Sequence, residues 1–430
     1  MKITPVTKRM FLIVFLSLIF SYIFTSMTVW TTDGKYLFLS RYLRINQHKR
    51  ILNGENFAPD QYRFGSYYLV EHFFKHIPIR WLDEYSAEIE NMLLNEDYWT
   101  EEKKELVDAY FPENEREMLK NNLTQTMNQI ASTLSGENPF LKNLILNYFE
   151  STNWEVYISE PSTTLLFIGN VLPEEVETAV KLDSENNRII NGHITSRFFF
   201  CFLTMIILYR FSRHFVSAKL AVISIFVFQS LLPFTTLYFG WETFIGTTLF
   251  LSGLICIIEK RTFVLLTLLV ILGSTVRPDH MVFISIIYFL YYFKSTTERK
   301  SVMKFFINTS LLLLIPVISI FIISVFIFPQ ADYVTDIFQL KYNLTYIWSW
   351  IYPLIFLALP ILFFKGINSY YFFRKTWYWI IPFIFMNFLL AKTVEVRLFL
   401  PVIAYSIPFV ISELWLSLSK ISTKLTTTDT

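Results

Sequence analysis

Five short motifs put acids and bases where catalysis or anion binding could use them. Asp33, in Trp30-Thr-Thr-Asp33-Gly34-Lys35-Tyr36, follows a long apolar run. A carboxylate partly withdrawn from water there would have a raised pKa and could act as a general base. An Asp-Gly turn ending a helix is the simpler reading of the same residues. Pro59-Asp60-Gln61-Tyr62-Arg63, with Glu71 and His72 beyond it, sets an acid, a phenol and a guanidinium in one stretch. Arg63 could grip two phosphate oxygens at once, or simply pair with Asp60 at the surface. Arg277-Pro278-Asp279-His280 reads as a tight turn between two apolar runs, with Asp279 available to neutralise Arg277. Glu395-Val396-Arg397 opens the last apolar run, and Glu242 in Phe239-Gly240-Trp241-Glu242 opens an earlier one. Two positions apart on a helix, Glu395 and Arg397 would point to different partners.

The elements that must position these residues are apolar. The chain has 430 residues, 53% of them hydrophobic and 45 of them Phe, and this composition does not suit an ordinary soluble globule. Apolar runs long enough to approach the ~17–25 residues of a membrane span lie near 10–30, 197–212, 218–238, 243–258, 262–276, 280–293, 305–328, 346–364, 376–391 and 397–417. The expected fold is therefore an all-α polytopic membrane protein of about ten transmembrane helices. Its first span reads as a signal anchor, because further spans follow.

Basic residues set the expected orientation. With both termini in the cytoplasm, 17 Lys and Arg fall in inner connections, against five (Arg197, Arg277, Lys341, Lys392 and Arg397) beside the short outer ones. Asp33, Asp60, Arg63, Glu242, Arg277, His280, Glu395 and Arg397 then share the outer face. Residues 31–195 form one large extracytoplasmic loop holding 26 of the 35 acidic residues but 15 of the 37 basic ones. Its aromatic-rich part, 31–80, suits a membrane surface. The remainder, 81–195, reads as a soluble, mainly helical insertion, with Leu119, Leu123, Met127, Ile130 and Leu134 on one helical face. Residues 1–30 make the N-terminus and first span, 196–418 a nine-span core and 419–430 a cytoplasmic tail.

Composition also excludes. The chain has no basic surface sized for nucleic acid, no phosphate-binding loop, no dinucleotide fingerprint and no cluster of His or Cys. Cys201 and Cys256 both sit in apolar runs and read as packing residues.

Taken together, Asp33 after the first span, Tyr62-Arg63 in the first outer loop, Arg277 in a mid-chain turn and Glu395-Val396-Arg397 before the last span resemble the polytopic glycosyltransferases of the GT-C class, in a bacterial branch. The likeness covers a membrane core of roughly 300 residues; the 81–190 insertion has no counterpart in it. The resemblance implies an enzyme of a bacterial plasma membrane whose donor is a sugar on a polyprenyl phosphate and whose acceptor is an envelope glycan or lipid. Transfer would be inverting, with Asp33 as base, Asp60 its companion, and Arg277 and Arg397 steadying the departing phosphate. Arg63, His72, Glu242, His280 and Glu395 complete the expected binding set. No metal or other cofactor is expected, because Gly34 rather than a second acid follows Asp33. A polysaccharide polymerase, a flippase or transporter, and a non-catalytic assembly factor are the alternatives. The spans carry little internal charge, which disfavours transport through them.

Overall fold

The computed structural model describes residues 5–29, 37–56, 58, 60–81, 184–238, 240, 242–293, 299–331 and 338–428. Asp33 and most of the 81–195 insertion lie outside these residues. Among them the protein is helical throughout, with no β-strand element. The helices are α1 (Pro5–Thr28), α2 (Leu37–Asn53), α3 (Phe64–His72), α4 (Ser184–Arg213), α5 (Ala218–Leu231), α6 (Thr243–Ile258), α7 (Phe263–Ser274), α8 (Pro278–Tyr292) and α9 (Arg299–Ile322). Next come α10 (Leu340–Thr345), α11 (Trp348–Phe356), α12 (Ala358–Leu362), α13 (Tyr371–Thr376), α14 (Ile380–Leu390) and α15 (Leu400–Thr428).

Among the described residues, five stretches are long and apolar enough to cross a membrane: Met10–Thr28, Glu185–Arg213, Ala218–Thr235, Val302–Ile327 and Val396–Ser419. α6 and α7 are shorter apolar helices. The apolar runs 346–364 and 376–391 fold instead as short pieces, broken at Leu357, Phe363 and Thr376–Trp379. Pro353 and Pro360 lie in the first of these runs, and proline removes an N–H from the helical ladder.

Exposed side chains point to the same environment. Met10, Phe11, Phe15 and Ile23 of α1 stand exposed, as do Ile307, Leu314, Val317 and Phe321 of α9. Leaving such a side chain in water forgoes about 1.5–3 kcal/mol each, and apolar bands of this extent mark contact with lipid or another apolar partner. α15 is the opposite case. Most of its apolar stretch is buried, with Tyr405 and Phe409 fully enclosed, and it packs on α5 and α6 as the central post.

α4 is the second organiser. It packs against α1, α5 and α6. The α1 side of that contact is a stripe of Ser17, Ser21, Thr25 and Thr28, all fully buried. Small polar residues let helices approach closely, and two of these close a bond to their own helix, Ser21 Oγ to Ser17 O at 2.7 Å and Thr28 Oγ1 to Thr25 O at 2.8 Å. α4 begins at Ser184, so it runs unbroken through residue 195, where a boundary between loop and membrane core was expected. Trp81, the last described residue before the insertion, donates its backbone N–H to Asn191 Oδ1 (2.8 Å) and its indole N–H to Thr195 Oγ1 (3.0 Å).

Candidate functional site

The site is assembled from chain segments that end or begin at one end of the bundle. α2 stops at Gly54, which takes φ +78°. Gly54 N–H reaches Ile51 O (3.2 Å) and Glu55 N–H reaches Arg50 O (2.8 Å), the paired bonds of a Schellman cap. The chain then enters a 3-10 turn, Asp60–Arg63, tied back to α2 by Gln61 Nε2 donating to Ile51 O at 2.9 Å. In a 3-10 turn residues three apart eclipse, which brings Arg63 Nη1 to 3.5 Å from Asp60 Oδ1. Gln47 Nε2 donates to the other Asp60 oxygen at 3.0 Å.

The turn before α8 delivers Arg277. Pro278 occupies the first helical position, where its missing N–H costs nothing, and Arg277 before it is held extended at φ −144°, ψ 78°. Arg277 is 2% exposed. Its Nε and Nη2 donate to the two Asp279 oxygens at 2.9 and 2.6 Å. Gly65 binds this turn to the 3-10 turn: its N–H donates to Thr275 O at 3.0 Å, and an added Cβ would lie 2.9 Å from that oxygen.

Glu395 and Arg397 pair with each other, Arg397 Nη2 lying 2.9 Å from Glu395 Oε2, contrary to the helical expectation. The reason is local. Glu395 precedes the 3-10 turn Val396–Phe399 with φ −77°, ψ 73°, so the two residues are not on a helix where that spacing would part them. Asn343 fixes the loop that leads into this turn. It is fully buried, receives Thr393 N–H (3.1 Å) and Thr393 Oγ1 (3.0 Å), and donates to Phe388 O (2.8 Å) and Ala391 O (2.7 Å).

All three guanidiniums meet at one atom. Glu242, 5% exposed at the start of α6, presents Oε1 to Arg397 Nη1 at 3.2 Å, Arg63 Nη1 at 3.4 Å and Arg277 Nη1 at 3.7 Å. Burial opposes ionisation of Glu242, but the three positive charges outweigh it and hold its pKa at about 2. Asp60 goes the other way. Burial is the largest influence and pushes its carboxyl above the usual 3.8, Arg63 opposes this, and Glu242 reinforces it. Water reaching about half of the side chain (47% exposed) moderates that rise. Gly240 gives the cluster room, since a Cβ there would strike the Arg397 guanidinium.

Six expected residues thus join one network: Asp60, Arg63, Glu242, Arg277, Glu395 and Arg397. His280 adjoins it, Nε2 lying 3.8 Å from Asp279 Oδ2, with its ring flanked by Phe250 and Phe383. His72 is not part of the network. It is exposed at the end of α3, against Tyr68, because one residue past Glu71 turns the side chain by about 100° to another face. Asp33 lies outside the described residues.

Asp60, Arg63, Tyr67, Glu71 and Lys75 recur at three- and four-residue spacing, so they line one face of the 3-10 turn and α3. That face leads to a second cluster. His48 Nε2 bonds Glu71 Oε2 at 3.0 Å, and His48 Nδ1 meets His193 Nε2 of α4 at 3.0 Å. Glu71 also pairs with Lys75, which reaches Glu185 at 3.4 Å. Among the described residues, no group of three or more His, Cys, Asp or Glu is arranged to hold a metal ion.

The chain matches no family model, no curated protein and no solved structure.

Proposed function

We propose that the protein is a multi-pass membrane glycosyltransferase that moves a sugar from a polyprenyl-phosphate donor to an envelope glycan or glycolipid. In this reading about ten helices span a bacterial plasma membrane, both termini are cytoplasmic, and the arginine cluster faces outward. The observation that supports it best is the convergence of Arg63, Arg277 and Arg397 on a single carboxylate oxygen, beside a carboxylate whose pKa is raised.

The chemistry follows from those properties. Asp60, with Asp33 as its companion, takes the proton of an acceptor hydroxyl. That oxygen attacks the anomeric carbon from the face opposite the phosphate, and the bond from carbon to phosphate oxygen breaks with inversion. The departing lipid phosphate keeps the electron pair, and guanidiniums already in place stabilise its charge. The arginines take the charge-balancing role that a divalent cation plays in other transferases. Membrane lipids and the lipid-linked donor are the expected partners.

The test is mass spectrometry of lipid-linked and surface glycans from the native host, comparing wild type, deletion and Asp60→Asn at equal expression. The proposal expects loss of one defined sugar and accumulation of its polyprenyl-phosphate donor in both altered strains. Full transfer by Asp60→Asn and by Asp33→Asn would remove the catalytic assignment. A changed ladder of chain lengths in the deletion strain would favour a polymerase.

A further inference from the structure

We infer that Glu242 is a resident stand-in for the ligand's phosphate: a phosphate ester takes the place of its carboxylate among Arg63, Arg277 and Arg397, and the Glu242 side chain turns aside. This rests on the reading of the cluster as a phosphate-binding site.

Three features support it. The first is acceptor number. A carboxylate oxygen has two lone pairs, yet three guanidiniums aim at Glu242 Oε1. Two of them come within hydrogen-bond range, and Arg277 stays at 3.7 Å. These separations exceed the ~2.7–2.9 Å of a well-made charge-assisted bond. The contacts of Arg277 and Arg397 with Asp279 and Glu395 are shorter, at 2.6 and 2.9 Å. A phosphate offers several oxygens and can give each guanidinium its own acceptor. Arg397 Nε is buried and, among the described residues, has no hydrogen-bond partner, so donor capacity remains unused.

The second feature is charge. With all four carboxylates ionised, Asp60, Glu242, Asp279 and Glu395 face the three guanidiniums with one negative charge in excess. A phosphodiester also carries one negative charge. Exchanging the Glu242 carboxylate for it leaves the cluster's balance unchanged, so binding incurs no new charge imbalance in a poorly solvated place. Adding the diester without moving Glu242 would double the excess.

The third feature is freedom to move. Glu242 precedes the first residue of α6 and makes no side-chain cap bond to the helix; from the backbone its carboxylate is held only by the N–H of its own residue. Gly240 lies beside both Glu242 oxygens, where a Cβ would come within 2.9 Å of each. Asp279, by contrast, is locked to Arg277 through both oxygens and cannot yield as readily.

The experiment measures binding of a short-chain isoprenyl phosphate in its diester form, the methyl ester, which carries the single charge of the argument, to the full-length protein in nanodiscs by calorimetry. Inorganic phosphate and phosphatidylglycerol in the disc are the comparison arms. Glu242→Gln removes the competing charge and should tighten isoprenyl-phosphate binding about tenfold, equivalent to about 1.4 kcal/mol. Glu242→Asp, which draws the carboxylate back from the arginines, should tighten it by a smaller factor. If Glu242→Gln folds only when isoprenyl phosphate is present, that rescue also supports the inference, because the ligand then supplies the missing anion. Binding unchanged or weakened in both variants overturns it. A response to inorganic phosphate alone would make the ligand a free anion, and a response to phosphatidylglycerol alone a bulk lipid headgroup; either overturns the isoprenyl assignment. Failure of the transferase reading is separate: tighter binding with no sugar transfer keeps the stand-in and removes the reaction, and transfer with no tightening does the reverse.

Discussion

The arginine cluster around Glu242 and the histidine cluster around His48 lie along one face of the same segment, yet they are built from opposite kinds of charge. Arginine stays protonated at any pH the protein meets, so the Glu242 cluster holds a fixed pattern of donors. The second cluster turns on imidazoles, whose hydrogen-bonding roles change with each proton gained. Glu71 anchors His48 from one side and His193 meets it from the other, so α2, α3 and α4 are joined through a titratable contact. The first region keeps one pattern of charge whatever the acidity. The second is fitted to hold helices together, and its hold depends on acidity.

The sharpest way to break this comparison is Arg277→Gln. Arg277 is buried and neutralises both Asp279 and Glu242, so its loss leaves buried negative charge uncompensated. A destabilisation of about 3–5 kcal/mol is expected, read as loss of the folded fraction in detergent. A Tm within a degree of wild type would mean that the cluster is far wetter than its geometry indicates.

Asn343→Ala comes next. It strips partners from Phe388 O, Ala391 O and Thr393 N–H, each of which costs about 1–3 kcal/mol when left buried and unsatisfied. Because the same segment carries Glu395 and Arg397, isoprenyl-phosphate binding should weaken along with stability. Lower stability with unaltered binding would show that Asn343 supports the fold but not the site.

The pH dependence separates the two regions. Burial holds the His48 pKa below its ordinary 6.5, and the bond to Glu71 offsets part of that. The folded state therefore favours neutral His48. Its contribution to stability is fully present above about pH 6.5 and is lost as pH falls through the lowered folded value. Wild-type thermal stability should decline on acidification below pH 6.5, and His48→Gln should flatten that decline. The same slope in wild type and variant would remove His48 as its source.

The smallest effect belongs to Glu185→Gln. Glu185 is 57% exposed and only grazes Lys75 at 3.4 Å, so stability should change by less than about 1 kcal/mol. A larger loss would extend the histidine cluster further along α4 than these contacts indicate.

Much of the arginine cluster was legible before any fold was known, because costly residue types stood at the ends of apolar runs. Pro278, read as part of a turn, is the first residue of α8, so the helix begins two residues earlier than expected, while the pairing of Asp279 with Arg277 was expected. The central role of Glu242 was not legible: its three partners lie up to 179 residues from it in sequence, and no local spacing encodes that convergence. Asn343 was hidden for the same reason. His48 was missed because it sits among Arg44, Lys49 and Arg50 in the stretch expected at the membrane surface, and His193 because it fell within the expected soluble insertion. The pairing of Glu395 with Arg397 was misread by applying helical spacing to a turn. The continuous apolar runs after residue 340 did not reveal their breaks, since hydrophobicity alone does not say where proline will interrupt a helix.

The most direct test of the account is a cryo-electron microscopy structure of the full-length protein with a short-chain isoprenyl phosphate. The account predicts phosphate density within hydrogen-bond reach of Arg63, Arg277 and Arg397, with the Glu242 carboxylate moved off them. Phosphate bound elsewhere, with Glu242 still seated among the three arginines, would contradict it.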